Sequence, residues 1–149
     1  MNPPRTDSKP DRLVAYIDGG ARGNPGPAGY GVRIEAPDGS VVEELHGALG
    51  ITTNNVAEYN GLLAALRWAA DHGTRDLHIK SDSELLVKQM RGEYRVKHPG
   101  LQPLAAQARL LLMQLGRVSF EHVRREQNVE ADRLSNLAMD EAEKRKTQN

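Results

Sequence analysis

The chain has 149 residues, the length of one domain on a prior of roughly 150 residues per domain, and its 38% apolar content suits a packed core rather than a disordered chain. Lys plus Arg and Asp plus Glu number 20 each, so the net charge is zero; with one Trp, four Tyr and one Phe, this argues against a protein that coats nucleic acid by bulk charge or base stacking. The absence of cysteine excludes disulfides and thiolate metal sites.

Residues 1–11 are polar, carry three prolines and lack an apolar run, so they read as a disordered tail rather than a signal peptide. Leu13 to Ile17 is a short β-rich run that stops at Asp18-Gly19-Gly20, and the turn-rich loop Arg22 to Pro27 follows. Tyr30 to Ile34 alternates, and Pro37-Asp38-Gly39 turns the chain into Val41 to Leu49, so three antiparallel strands are expected. The period then becomes helical through Val56, Tyr59, Leu62, Leu63, Leu66 and Ala70, with Gly73 as the stop. Asn55 with Glu58 has the spacing of a capping box. Leu77 to Lys80 is a fourth strand, Leu85 to Met90 a helix ending near Gly92, and Leu101 to Leu115 a strongly apolar helix. Val118 to Val123 is a fifth strand, and Asn128 is the expected N-cap of a last helix carrying Leu134, Leu137 and Ala138. Residues 141–149 read as a helix end or flexible tail, which leaves one domain over 12–140. The order βββ-α-β-α-α-β-α predicts an α/β fold, a mixed sheet flanked by helices. The longest unbroken apolar stretch, Leu62 to Leu66, is far too short to cross a membrane, so a cytoplasmic protein is expected. The apolar residues are no more than a core needs, so a monomer is expected too.

Four carboxylates occupy similar junctions. Asp18 ends the first strand, Glu58 opens the long helix, Asp82 ends the fourth strand and Asp132 opens the last helix. Each has a plain alternative: a turn for Asp18, a cap for Glu58 or Asp82, and a helix-dipole partner for Asp132. Strand ends in α/β sheets favour ligand sites, and four converging carboxylates would repel one another unless a cation joined them. Mg²⁺ takes oxygen ligands, and two such ions suit an in-line phosphoryl displacement. The five histidines, His46, His72, His78, His98 and His122, show no HxxxH pair and read as structural or surface residues.

The stretches Tyr16-Ile17-Asp18-Gly19-Gly20-Ala21-Arg22-Gly23-Asn24-Pro25-Gly26-Pro27-Ala28-Gly29-Tyr30-Gly31 and Thr52-Thr53-Asn54-Asn55-Val56-Ala57-Glu58 come first, followed by Ser81-Asp82-Ser83 and Glu130-Ala131-Asp132. In that order they resemble type 1 ribonuclease H, and the resemblance covers about residues 12–140. It implies the ribonuclease H fold, a five-stranded mixed sheet with strands 1 to 3 antiparallel. It further implies a metal-dependent endonuclease that hydrolyses the RNA strand of RNA–DNA hybrids to 5′-phosphate and 3′-hydroxyl ends. By the same resemblance Asp18, Glu58, Asp82 and Asp132 are the catalytic carboxylates, holding two Mg²⁺ ions, with Mn²⁺ as an alternative. Asn24, Asn54 and Asn55 fall in the hybrid-binding groove, Thr53 near a DNA phosphate, and Gly19 and Gly20 where backbone meets the RNA strand. An amide side chain can meet 2′-hydroxyls and base edges in a shallow minor groove.

Two departures from that family's pattern concern mechanism. Many bacterial members insert a basic helix and loop between the second and third helices, whereas here Met90 to Leu101 joins them directly. Lys88, Arg91, Arg95 and Lys97 make that stretch mildly basic, either as a reduced grip or as a solvated connection. The loop after the fifth strand reads Arg124-Arg125-Glu126-Gln127-Asn128 where many members place a histidine. Glu126 is the candidate substitute, and Arg124 and Arg125 are either phosphate contacts or plain basic surface. A same-fold nuclease that also cuts double-stranded RNA, and a non-catalytic nucleic-acid-binding module, stand as alternatives. With the basic insertion missing, hybrid affinity should be weaker and fall less steeply with salt than in members that carry it. A salt titration of hybrid binding, read as the slope of log K against log salt, checks this.

Overall fold

Leu13, Ala15 and Ile17 alternate with Val14 and Tyr16, so one face of the first strand is apolar and forms a wall of the core. The computed structural model describes residues 12–148, and the expected tail over 1–11 lies outside them. Strands β1 (Arg12–Ala21), β2 (Gly26–Glu35) and β3 (Val41–Thr52) form an antiparallel meander, followed by helix α1 (Asn54–Asp71). Then come β4 (Asp76–Ser81), α2 (Glu84–Met90), α3 (Gln102–Gln114), β5 (Arg117–His122) and α4 (Val129–Gln148), with a single 3₁₀ turn at Arg125–Gln127. The sheet order is β3-β2-β1-β4-β5, with β4 parallel to both β1 and β5. This is the mixed sheet expected, in the expected element order.

The two faces of the sheet carry different helices. A Cβ at Gly19 would strike the Ala57 backbone of α1, whereas one at Gly20 would point at Met139 of α4. The α1 face holds the core, in which Ile17, Val32, Ile34, Leu62, Leu63, Leu66, Leu77 and Ile79 are fully buried. On the other face α4 lies directly on β2. A Cβ at Gly29 would come within 2.4 Å of the Ala138 Cβ, and one at Gly31 within 2.5 Å of the Ala131 carbonyl oxygen.

These close approaches correct the strand lengths read from sequence. β1 does not stop at Asp18 but continues through both glycines to Ala21, paired with β2. β2 begins at Gly26 and β3 runs on to Thr52. In sequence the glycines resemble a turn, but here they are strand residues across which helices pass at contact distance. The turn at Pro37-Asp38-Gly39 does form: Asp38 accepts from the Ser40 N–H, and Gly39 takes φ +88°. Gly73, at φ +66°, ends α1 as expected.

Helix α4 reaches Gln148, and Ala142 within the stretch read as a helix end or tail is buried. The polar histidine readings also find partners. His78 holds the edge strand β5, hydrogen-bonded through Nδ1 to the Ser119 hydroxyl (2.7 Å) and through Nε2 to Glu121 (2.7 Å). His46 lies 3.1 Å from Glu141, and His72 stacks on Trp68. Among the described residues no helix is long and apolar enough to cross a membrane.

Gly31→Ala should cost about 2–3 kcal/mol, because the new methyl must push the α4 backbone away. Gly20→Ala, whose Cβ would meet only the flexible Met139 side chain at 3.4 Å, should cost well under half of that. Urea denaturation of the two variants checks the difference.

Candidate active site

The parallel pairing of β1 with β4 ends at Ile17↔Ser81, while β1 goes on beside β2 with Asp18 opposite Gly31. Asp18 and Asp82 are therefore the first residues past the point where β1 and β4 part, at the carboxyl ends of both strands. That is the crevice in which α/β sheets bind ligands. Asp18 points to the α4 face, where the Ser135 hydroxyl lies 2.9 Å from its Oδ2. Asp132, one turn before Ser135, opens from the first turn of α4 into the same crevice. Glu58 comes from α1, just beyond its first turn.

The electrostatics tie the four together. Burial, with the Asp82 and Asp132 charges next, pushes the Asp18 carboxyl up to about 7 despite the opposing Ser135 hydrogen bond. Burial likewise raises Glu58 to about 7, with a smaller push from Asp82 and an opposing hydrogen bond from Ser83. Asp82 is raised by burial and by Asp132, against Arg125 and His122, which favour its charged form. Asp82 thus acts on Asp18 and Glu58, and Asp132 acts on Asp18 and Asp82. Like charges gathered in a half-buried crevice call for a counter-charge. Among the described residues no three side chains already close into a metal cage. Mg²⁺ does not require one, since it keeps several waters and is held by one or two carboxylates with substrate oxygens completing the shell. The donor set, all carboxylate, fits such a hard ion.

Two expected helix caps are reassigned, and a third residue has a further partner. Thr53 caps α1, its Oγ1 accepting from the Val56 N–H (3.2 Å), so Asn55 and Glu58 form no capping box and Glu58 is free for the crevice. Ser83 caps α2 by accepting from the Leu86 N–H (3.3 Å), which releases Asp82 from the cap role as well. Asn128 precedes α4, yet its amide donates across to the Ile17 carbonyl (2.9 Å) next to Asp18. Its Oδ1 is buried without a partner. In the first two cases a neighbour with a shorter side chain takes the cap; Asn128 does stand at the cap position, its carbonyl accepting from the Asp132 N–H (3.0 Å), but its amide is held by the strand.

The candidate substrate residues stand at one end of this crevice. Asn54 Oδ1 accepts from the Ala21 N–H (2.7 Å), and Asn24 Oδ1 accepts from the Asn54 N–H (3.0 Å). Both acceptor oxygens are therefore committed, and each side chain offers outward only its NH₂ donors. Asn55 is exposed, and Thr53 keeps its hydroxyl proton free. Gly19 is required by the approach of α1, whereas Gly20 has ordinary room around it. Arg124 and Arg125 are exposed at the turn after β5, as is Glu126, and Arg125 is close enough for its charge to be felt at Asp82.

A family profile described as reverse transcriptase-like matches residues 16–138. The chain belongs to that family. Its fold is that of type 1 ribonuclease H, superposing on the crystal structure of RNase H1 from Halobacterium salinarum with a TM-score of 0.83 and 43% identity, over 87% of this chain and 98% of that one. LC11-RNase H1, isolated from compost and solved in complex with RNA/DNA hybrid, matches with a TM-score of 0.83 and 42% identity over 87% of this chain and 98% of that one. A bifunctional protein of Mycobacterium tuberculosis is 48% identical over 132 residues, which is 88% of this chain and 36% of that protein. The chain thus spans about a third of the length of the first curated relatives it matches.

Sequence reasoning on this ribonuclease H fold missed Ser135, fully buried beside Asp18, and read Asn128 as a helix cap without its bond to β1. Their signal is one of helical spacing: Asn128 just before α4 and residues 132 and 135 within it fall on a single stripe, and only the middle residue carries a charge.

The two carboxyls held near 7 have a consequence for stability. An acid whose folded pKa lies above its unfolded value binds more protons when folded, so stability falls as pH rises from about 4 to about 7. Asp18→Asn keeps an acceptor for Ser135 and removes one charge. The metal-free variant should be more stable than the parent at pH 8 by on the order of 1–3 kcal/mol and nearly equal to it at pH 4. Thermal unfolding across pH in the presence of chelator checks both the sign and the window.

Proposed function

We propose that this chain is a metal-dependent ribonuclease H that cleaves the RNA strand of RNA–DNA hybrids, leaving 5′-phosphate and 3′-hydroxyl ends. One observation carries the reading: four carboxylates from β1, α1, the end of β4 and α4 gather at one crevice, where burial first, and then the Asp82 and Asp132 charges, raise the carboxyls of Asp18, Glu58 and Asp82. Asp18, Glu58, Asp82 and Asp132 would hold Mg²⁺ or Mn²⁺. When bound, two such ions supply Lewis-acid activation of water and charge neutralisation at the departing 3′-oxygen.

The remaining residues bind and orient. The NH₂ groups of Asn24 and Asn54 donate to 2′-oxygens and to the minor-groove acceptors common to all four bases, so recognition follows the shape of the duplex rather than its sequence. The free hydroxyl proton of Thr53 suits a DNA phosphate, and Gly20 leaves room for an RNA strand to approach the backbone. Ser135 steadies Asp18, while the Asn128 amide ties the start of α4 to the Ile17 carbonyl. Asp132 and Asp18 are thereby held at a set separation. Arg124, Arg125 and Glu126, at the turn beside Asp82, act as auxiliary groups in this reading. The hybrid bound to LC11-RNase H1 supports the choice of substrate.

Incubation with end-labelled RNA–DNA hybrid should give internal RNA cuts in Mg²⁺ or Mn²⁺ and none in chelator. Asp18→Asn should lower the rate by at least about a thousandfold, in line with the loss of a central electrostatic contact. Double-stranded RNA and RNA–DNA hybrid compared side by side separate this enzyme from a broader nuclease. Binding without cleavage in either metal would leave only a nucleic-acid-binding module.

A further inference from the structure

Arg22 stands in the loop between β1 and β2, outside the carboxylate crevice, and its guanidinium is gripped by one face of α4. Nη1 donates to Asp140 Oδ1 (2.6 Å) and Glu143 Oε1 (2.8 Å), and Nη2 donates to Asn136 Oδ1 (3.0 Å). Positions 136, 140 and 143 are one stripe of the helix, so three acceptors at successive turns converge on a single planar cation. The same loop is tied to α1 on its other side by the Ala21–Asn54 and Asn54–Asn24 bonds. It is closed on itself by the Arg22 N–H donating to the Pro27 carbonyl (2.9 Å).

We propose that Arg22 is a positioning residue of the substrate groove, clamping the Asn24-bearing loop to α4 so that the Asn24 and Asn54 amides are held ready for the hybrid. The proposal rests on the hybrid-cleaving reading above. Two features separate a clamp from a phosphate contact. First, the guanidinium nitrogens nearest the helix are already spent on protein acceptors, and two carboxylates outweigh the single positive charge. Second, the partners are half-exposed, and ion pairs of that kind contribute little to global stability. What the clamp fixes is geometry. It also joins the loop to the helix that carries Asp132, so the groove and the carboxylate crevice share one rigid support.

The test compares Arg22→Met with the double variant Asp140→Asn/Glu143→Gln. Both should keep the parent's circular dichroism spectrum and melt within a few degrees of it. With the hybrid as substrate, each should raise KM by about tenfold while kcat stays within about twofold, and the salt slope of binding should not change. In the substrate-free protein, the Ala21 and Asn54 amides should exchange faster with solvent in both variants. A phosphate contact gives the opposite pattern: Arg22→Met would make the salt slope shallower by roughly 0.7–0.9, and the double variant, freeing Arg22, would tighten binding. That result, or amide exchange unchanged in both variants, overturns the proposal. Failure of the parent protein to bind hybrid would instead defeat the functional reading, while amide exchange would still decide whether the clamp exists.

Discussion

Helix α4 can reach the sheet only because β2 presents hydrogen atoms where other residues present Cβ groups. At Gly29 and Gly31 the helix backbone sits so close that a methyl would overlap Ala138 or Ala131. Much of the site depends on that seat. It puts Ser135 within hydrogen-bonding distance of Asp18 and the Asn128 amide against the Ile17 carbonyl. It also lets Asn136, Asp140 and Glu143 meet Arg22. Had α4 stood off by the width of a side chain, Asp132 and Asp18 would lie in separate environments.

The crevice so formed opposes folding. Two carboxyls, Asp18 and Glu58, are held near neutral pKa by burial and by the neighbouring Asp82 charge, a cost that a purely structural site would not carry. Placing it where β1 and β4 part limits the cost, since these two strands have finished pairing with each other there. The apolar core lies on the opposite face of β1, under α1, so the charged crevice and the hydrophobic interior are separated by a single strand. Site and core can therefore each be built from the residues that suit them, because alternate side chains of one strand face opposite ways.

On the proposed reading, zero net charge and hybrid recognition are compatible in this arrangement. Asn24 and Asn54 have spent their oxygens on backbone N–H groups and present donors alone. Acceptors are what a minor groove offers at every base pair, so in the proposed role such a surface would follow width and depth and tolerate any sequence. Arg22, Arg33 and Arg133 are engaged with carboxylates of the fold. The composition count therefore overstates the positive charge that a nucleic acid would meet.

Much was legible in the residues alone. Apolar periodicity marked α1 and α3, alternation and turn residues marked the β2–β3 hairpin, and the four carboxylates stood out at their junctions. What local pattern could not convey was contact between distant segments. Gly19 and Gly20 resemble turn residues in the chain, and only the passage of α1 and α4 across them shows them as part of β1. The caps went to Thr53 and Ser83, and Asn128 was drawn to β1, because hydrogen bonds go to the partner nearest in space. Ser135 and Arg22 take their roles from partners more than a hundred residues away in the chain. Periodicity and residue chemistry act over a few neighbours and settle which elements form and which side chains can ionise. The separation of those side chains, and hence their pKa values and their freedom to donate, is set by packing across the sheet, which no local signal contains.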